Sequence, residues 1–305
     1  MITPITGFDT ASGFKVLRLL AAIAVLCVIV REGGAAQSIG DRYFMSSDGV
    51  RLHYLEAGSG RTTIVFVPGW TMPAWIFAPQ IQALRGDYRV IAFDPRSQGD
   101  SQIAATGHHP ERRARDIAEL IADTGAGSVI LVGWSLGVLD ALTYVRQHGD
   151  GLIAALVLID NSIGEDPPPD SKFDFIGTLK KNRAAATRSF VRAMFKRQQP
   201  ASYYDRLVDA SLRVPLPAAI ELLSYPYPRG YWRDSIYSTT RPILYVVTPA
   251  WREQGRNLSR KHNNATLEVF AEAGHALFVD EADRFNRVLG GFIVQSSTSN
   301  RTDVK

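Results

Sequence analysis

A chain of 305 residues, 46% hydrophobic and 21% charged, has ample material for one large packed domain, and no stretch is biased enough to form a long disordered segment. Its formal net charge of +4 is modest for that length, and no dense Lys/Arg run is interleaved with aromatics. Nucleic acid is thereby excluded as a partner, and a small molecule is expected instead.

The segment 1–36 has the order of a secretory signal. Lys15 and Arg18 precede the uncharged apolar run 19–30, and Arg31-Glu32 and the small residues Gly33, Gly34, Ala35 and Ala36 follow it. Twelve apolar residues fall short of the ~20 that span a bilayer as a helix. Export to a periplasmic or secreted location with cleavage near Ala36 is expected; the alternative is an uncleaved membrane anchor that borrows Val16 and Leu17. The one cysteine, Cys27, lies inside that run, and Leu26 before it is bulkier than the small residue of lipoprotein signals. A mature chain would carry no disulfide and no thiol nucleophile.

Residues 42–45 and 50–56, separated by Ser46-Ser47-Asp48-Gly49, predict an antiparallel hairpin. The β-branched runs 63–67, ended by Pro68-Gly69, and 90–93, ended by Asp94-Pro95, predict strands with a helix over 76–84 between them. A helix over 111–124, a strand over 129–132, a helix over 136–147 and a strand over 155–159 follow. The alternation resumes late, with a strand over 243–247, a helix over 253–261, a strand over 266–270 and a last helix over 281–294. Continuous apolar strands separated by helices predict an α/β fold whose parallel sheet, six strands after the hairpin, is covered on both faces.

Residues 164–240 interrupt that alternation, opening on Gly164-Glu165-Asp166-Pro167-Pro168-Pro169 and carrying helical periodicity without a clear strand. They predict a helical cap inserted into a core of 37–163 and 241–305. Within the cap, Phe173, Ile176, Leu179, Phe190, Met194 and Phe195 recur at helical spacing, and Lys180, Lys181, Arg183, Arg188, Arg192, Lys196 and Arg197 take the other positions. That pattern predicts an inward stripe and a solvated face. Further on, Tyr225, Tyr227, Tyr231 and Trp232 form either an aromatic wall for an apolar or ring-bearing group or a packed hinge.

Gly133-Trp134-Ser135-Leu136-Gly137 fits a nucleophile elbow and stands between a strand and a helix, the context that motif requires. A serine on so sharp a turn needs neighbours without bulk, which Gly133 and Gly137 provide. The turn puts Ser135 at a helix N-terminus, where the Leu136 N–H and the helix dipole favour an oxyanion. Of the six histidines, only His275 occupies a loop at the C-terminal edge of a late strand, where it can meet Ser135 at a crevice. Asp140 reads as structural, and there is no P-loop, dinucleotide fingerprint or metal-ligand cluster, so no cofactor and no metal are expected.

Val67-Pro68-Gly69-Trp70, the stretch 93–101 (Phe93 to Ser101), the elbow and Ala273-Gly274-His275 occur in an order and spacing that resembles the α/β-hydrolase superfamily. The resemblance runs from about Arg42 to the final helix and is to small capped serine esterases and cofactor-free haloperoxidase-like members. It implies the α/β-hydrolase fold, Trp70 N–H as a second oxyanion donor, and a loop at Asp94 and Arg96 that braces its neighbours. Pro68 departs from the histidine that many relatives carry there, but leaves the Trp70 amide free. In many relatives the acid that orients the histidine follows the strand that corresponds to 243–247; here that loop reads Thr248-Pro249-Ala250-Trp251-Arg252-Glu253, without an Asp. Asp160, at the end of the strand beside the elbow, matches the alternative position of some relatives and is the expected acid, with Glu253 as the other candidate.

The resemblance thus implies acyl transfer by Ser135, His275 and Asp160 on a small apolar or aromatic ester. A serine at the elbow argues against the dehalogenase and epoxide-hydrolase relatives, which need a carboxylate there. A lactone, a peracid-forming carboxylate, a carbon-carbon bond in a diketone, or a non-catalytic ligand-binding role on the same fold remain the alternatives. For the leader, N-terminal sequencing of the protein recovered from its producing cells is expected to start near Ala36; a chain starting at Met1 would mean an anchor.

Overall fold

The structure, a computed structural model, describes residues 38–169, 174–224 and 226–302, with side chains up to residue 296. The expected signal segment 1–36, Phe173 and Tyr225 lie outside the described residues. No helix among the described residues is long and apolar enough to cross a membrane.

The hairpin is β1 (Gly40–Met45) and β2 (Arg51–Ala57), paired antiparallel. It is followed by β3 (Thr63–Val67), α1 (Ala78–Leu84), β4 (Arg89–Asp94), α2 (Pro110–Asp123), β5 (Val129–Trp134), α3 (Leu136–His148) and β6 (Ile153–Ile159). After a long insertion come β7 (Ile243–Val247), α9 (Arg252–Lys261), β8 (Ala265–Val269), α10 (Leu277–Asp280) and α11 (Ala282–Thr302). The strands lie in the order β1-β2-β4-β3-β5-β6-β7-β8, and β3 to β8 run parallel to one another, as the six apolar runs predicted.

Side chains of a strand alternate between its two faces, and the apolar runs split accordingly. Val65, Val67, Val129 and Leu131 pack with α2 and α3, whereas Ile64, Phe66, Ile130 and Val132 pack with α1, α10 and α11 on the other face. Both faces are covered, which is why these strands read as continuous apolar sequence. Most element ends shift by one or two residues; beyond that, the helix before β4 opens on a 3-10 turn at Ala74–Phe77, a short α10 precedes the expected last helix, and α11 extends to Thr302.

The insertion between β6 and β7 holds five helices: α4 (Phe175–Lys181), α5 (Arg183–Ala193), α6 (Ala201–Arg213), α7 (Leu216–Glu221) and α8 (Gly230–Tyr237). Asp174 and Asn182 start α4 and α5 by accepting hydrogen bonds from Gly177 N–H and Ala185 N–H. Leu179, Met194 and Phe195 are buried, Ile176 and Phe190 are half-buried, and every cation of the solvated face except the half-buried Arg183 is exposed.

Arg96 is fully buried beneath the hairpin turn. Its guanidinium donates to both oxygens of Asp116 (2.7 and 2.8 Å) and to both of Asp48 (3.0 and 3.2 Å). Burial raises the Asp48 pKa, but hydrogen bonds from Arg96 and Ser46 and the charges of Arg96 and Arg112 outweigh it and lower it from 3.8 to about 2. The folded value lies below the unfolded one, so the stabilisation is complete above 3.8 and is lost as pH falls through about 2. Asp48→Asn is expected to flatten the fall in stability over that window, read from urea midpoints; an unchanged slope would refute it.

Candidate active site

Backbone register sets the site before any side chain does. Past the ends of the parallel strands, Ser135 N–H donates to Ile159 O (2.9 Å), Asp160 N–H to Val246 O (2.9 Å) and Phe270 N–H to Val247 O (2.8 Å). Ser135, Asp160 and the loop that carries His275 therefore leave one edge of the sheet side by side, at the carboxyl ends of the strands, where open α/β sheets bind ligands.

Ser135 occupies the turn between β5 and α3 at φ 53° and ψ −118°. A side chain on Gly133 would sit on the Gly137 carbonyl, and one on Gly137 would sit on the Val67 carbonyl. Only glycines let the strand, the turn and β3 pack this closely. Asn161 braces the turn, its Nδ2 donating to Ser135 O (2.8 Å) while its own carbonyl accepts from Tyr245 OH (2.7 Å).

Asp160, 3% exposed and at φ 47°, accepts from the His275 ring through Oδ2 (Nδ1 to Oδ2 2.8 Å). Its Oδ1 accepts from Thr248 N–H (2.7 Å) and Thr248 Oγ1 (2.8 Å), so both oxygens are directed. Glu253, the other candidate acid, is exposed on α9 and pairs with Arg256 (2.7 Å). His275 is tied to the elbow strand: Trp134 Nε1–H donates to His275 O (3.0 Å), and the two rings lie 5.4 Å apart. Among the described residues no hydrogen bond joins Ser135 Oγ to that ring; both side chains are half-buried amid buried neighbours.

Two backbone amides border the hydroxyl. Leu136 is the first residue of α3, so its N–H has no acceptor within the helix. Trp70 follows Gly69, whose missing Cβ would lie 2.9 Å from Ser135 Cβ and 3.4 Å from its Oγ. The Trp70 N–H donates to no acceptor among the described residues, while its indole N–H donates to Ala219 O of α7 (2.7 Å).

Several contributors had no sequence signal of their own. Phe175 and Phe190 meet the Trp70 ring edge-on, with centroids 5.2 and 5.1 Å away, and floor an apolar groove of about 590 Å³ between α4 and α5. Asp280, 4% exposed, accepts from Gly274 N–H (2.8 Å) in the histidine loop and from Lys196 N–H (2.7 Å) after α5. Among the described residues of the aromatic segment before and within α8, Tyr227 and Tyr231 pack away from Ser135. Tyr227 and Tyr231 stack at 4.0 Å under Arg146, ~15 Å along α3 from its Ser135 end at 1.5 Å per residue. That packing against α3 is the blander of the two readings for these residues.

The remaining expectations also find their places. Asp94 holds His53 Nδ1 (2.7 Å), Ala74 N–H (2.5 Å) and Asp100 N–H (2.9 Å), bracing loops together with Arg96. Asp140 pairs with Arg113 (2.6 Å) behind the elbow helix. Asp41, His53 and Asp100, which the sequence did not single out, bring ligand-capable atoms within 4.8 Å of one another near the hairpin, with His53 Nε2 3.1 Å from Asp41 and Nδ1 2.7 Å from Asp94.

A model of the Alpha/beta hydrolase family matches residues 64–288. Over 128 residues the chain is 38% identical to a non-heme haloperoxidase of Rhodococcus erythropolis, an alignment covering 41% of this chain and 44% of that relative, so less than half of its length is spanned. An esterase from Exiguobacterium antarcticum has a similar structure, with a TM-score of 0.72, 25% identity, and coverage of 83% of this chain and 99% of that one. A bromoperoxidase from Bacillus anthracis, at 19% identity and a TM-score of 0.74 over 83% and 99% of the two chains, shares the fold.

Because the Gly133 position has no room for a methyl group, Gly133→Ala is expected to cost at least 1–3 kcal/mol, roughly the range for overpacking. Thermal unfolding measures it, and a melting temperature equal to the parent's would show that the elbow is looser than described.

Proposed function

The chain belongs to the α/β-hydrolase family, and we propose that within it the protein is a serine hydrolase that cleaves carboxylic esters by acyl transfer through Ser135, His275 and Asp160. The observation that carries this reading is the 2.8 Å bond between Asp160 and His275 at the sheet edge where the Ser135 turn raises its hydroxyl. With Nδ1–H donated to Asp160, the ring keeps Nε2 as its free base. Serine-to-histidine bonds are often long in substrate-free sites and tighten on binding.

Ser135 Oγ adds to the ester carbonyl carbon as its proton passes to His275 Nε2, and the carbonyl oxygen becomes an oxyanion facing the N–H groups of Trp70 and Leu136. The carbon-oxygen bond to the leaving alkoxide breaks, and His275 returns the proton to it. Water then adds to the acyl-enzyme with His275 again taking the proton, and Ser135 leaves with it, so acid, alcohol and free enzyme result. Asp160 fixes the ring and stabilises the imidazolium at each stage.

The apolar ring cluster that Phe175 and Phe190 form around the Trp70 side chain supports a substrate with an apolar or aromatic group. The similarity to a haloperoxidase favours one second reading, in which hydrogen peroxide replaces water on the acyl-enzyme and releases a peracid.

A fluorophosphonate probe is expected to label the protein at Ser135 and to leave Ser135→Ala unlabelled; an unlabelled parent points to a ligand-binding protein and overturns the proposal. On a panel of esters varying in acyl length and ring content, Asp160→Asn should lower kcat by ~100-fold or more. Glu253→Gln should stay within about threefold, since that carboxylate is solvated and paired elsewhere. The reverse ranking would move the acid to Glu253.

A further inference from the structure

We propose that Gln98 is a positioning residue that presets the oxyanion site, by holding the Gly69–Trp70 peptide so that Trp70 N–H faces Ser135. This rests on the serine-hydrolase reading above. Gln98 lies in the loop after β4 and is 1% exposed. Its Nε2 donates to Gly69 O (3.1 Å) and to Met72 O (2.9 Å), and its Oε1 accepts from Thr71 N–H (3.2 Å). One buried carboxamide thus spends all three of its recorded bonds on the four residues that bracket the oxyanion amide.

In a trans peptide the carbonyl and the N–H point in opposite directions. Fixing Gly69 O toward Gln98 therefore aims Trp70 N–H the other way. The Ser135 hydroxyl lies close to Gly69, so that amide is available to an oxyanion formed there. Gly69 O also accepts from Met72 N–H (3.2 Å) across the turn, so Gln98 adds a second, side-chain restraint to a single backbone one. Residue 69 must be glycine to approach Ser135, and glycine offers no steric resistance to rotation of the peptide that follows it. Thr71, a β-branched residue at φ 56°, is held in a region such residues rarely adopt. Release of its N–H would let it return to a negative φ and carry the preceding peptides with it.

Only an amide fits this place. A carboxylate there would set oxygen against the Gly69 and Met72 carbonyls, and a hydrocarbon would leave buried backbone groups without partners. The cap holds the same loop from the other side, with Thr71 Oγ1 bonded to Ser211 Oγ (2.6 Å) and Trp70 Nε1–H to Ala219 O. With Gln98 changed, the loop is expected to stay in place, while its Gly69–Trp70 peptide is left with the Met72 N–H bond alone to orient it.

The test compares Gln98→Glu, which keeps size and the acceptor, and Gln98→Leu with the parent on a hydrolysed p-nitrophenyl ester and its thiono analogue, whose sulfur is a poor hydrogen-bond acceptor. Both variants should lose ~10²-fold in kcat, on the scale of one lost oxyanion donor, with KM within about threefold. Their preference for the oxo ester over the thiono ester should shrink by a similar factor, a readout that a merely structural role would not move. If Gln98→Leu does not fold, Gln98→Glu decides. A loss confined to KM, or an oxo-to-thiono preference equal to the parent's, overturns the proposal. A parent that fluorophosphonate does not label overturns the serine-hydrolase reading and this inference together, whereas a labelled parent with unaltered Gln98 variants overturns this inference alone.

Discussion

The left-handed turn at Ser135 is the constraint on which the rest of the site depends. An L-residue at φ 53° costs on the order of 1–3 kcal/mol, and it persists because its surroundings leave no alternative. Gly133 and Gly137 allow β3, β5 and α3 to close on it, Ile159 takes its N–H, and Asn161 takes its carbonyl. The four non-glycine residues with positive φ among the described residues are Thr71, Ser97, Ser135 and Asp160. One follows each of the consecutive strands β3, β4, β5 and β6, all at the same edge of the sheet. Strain is concentrated where loops must aim a side chain or an amide, and the burial of β3 to β6 supplies the rigidity that sustains it.

The cap takes part in that arrangement and is more than a cover. It bonds the oxyanion loop through Ser211 and Ala219, and the histidine loop through Met194 O, which accepts from Ala276 N–H (2.8 Å). Asp280 doubles the second link, since its carboxylate bridges amides of both segments. A side chain on Gly274 would collide with Met194 and Lys196, so this approach is as close as backbone allows. Displacing the α5–α6 connection together with α6 and α7 would break hydrogen bonds to both the histidine loop and the oxyanion loop at once. The cap and the candidate catalytic groups are therefore mechanically one assembly.

The strands were legible because sheet burial on both faces writes itself as unbroken apolar sequence, and the hairpin because Asp48-Gly49 marks its turn. The elbow was legible for a local reason: glycines two before and two after a serine between strand and helix answer a steric need that no distant residue can meet. His275 and Asp160 needed topology as well as composition, since only their strand ends make them neighbours. What stayed hidden is tertiary. Gln98 is one more polar residue in a turn until its three bonds to Gly69–Met72 are seen, and Phe190 reads as one member of a helical stripe although its ring meets Trp70. Tyr231 and Trp232 illustrate the converse, for an aromatic cluster has the same composition whether it lines a site or, as here, packs against α3.

Register explains how Asp160 meets the histidine loop from the end of β6. β6 and β7 are adjacent and parallel, with Ile159 beside Val246, so their next residues emerge within a few ångströms of each other. A carboxylate from either end can reach a ring suspended from the loop after β8. In this chain Asp160 meets the ring, and Thr248, in the loop after β7 that carries no aspartate, donates both its N–H and its hydroxyl to the other carboxylate oxygen. The end of β6 thus supplies the acceptor and the residue after β7 the donors of one hydrogen-bonded unit. Without Thr248, the aspartate at the end of β6 would have one oxygen buried without a donor.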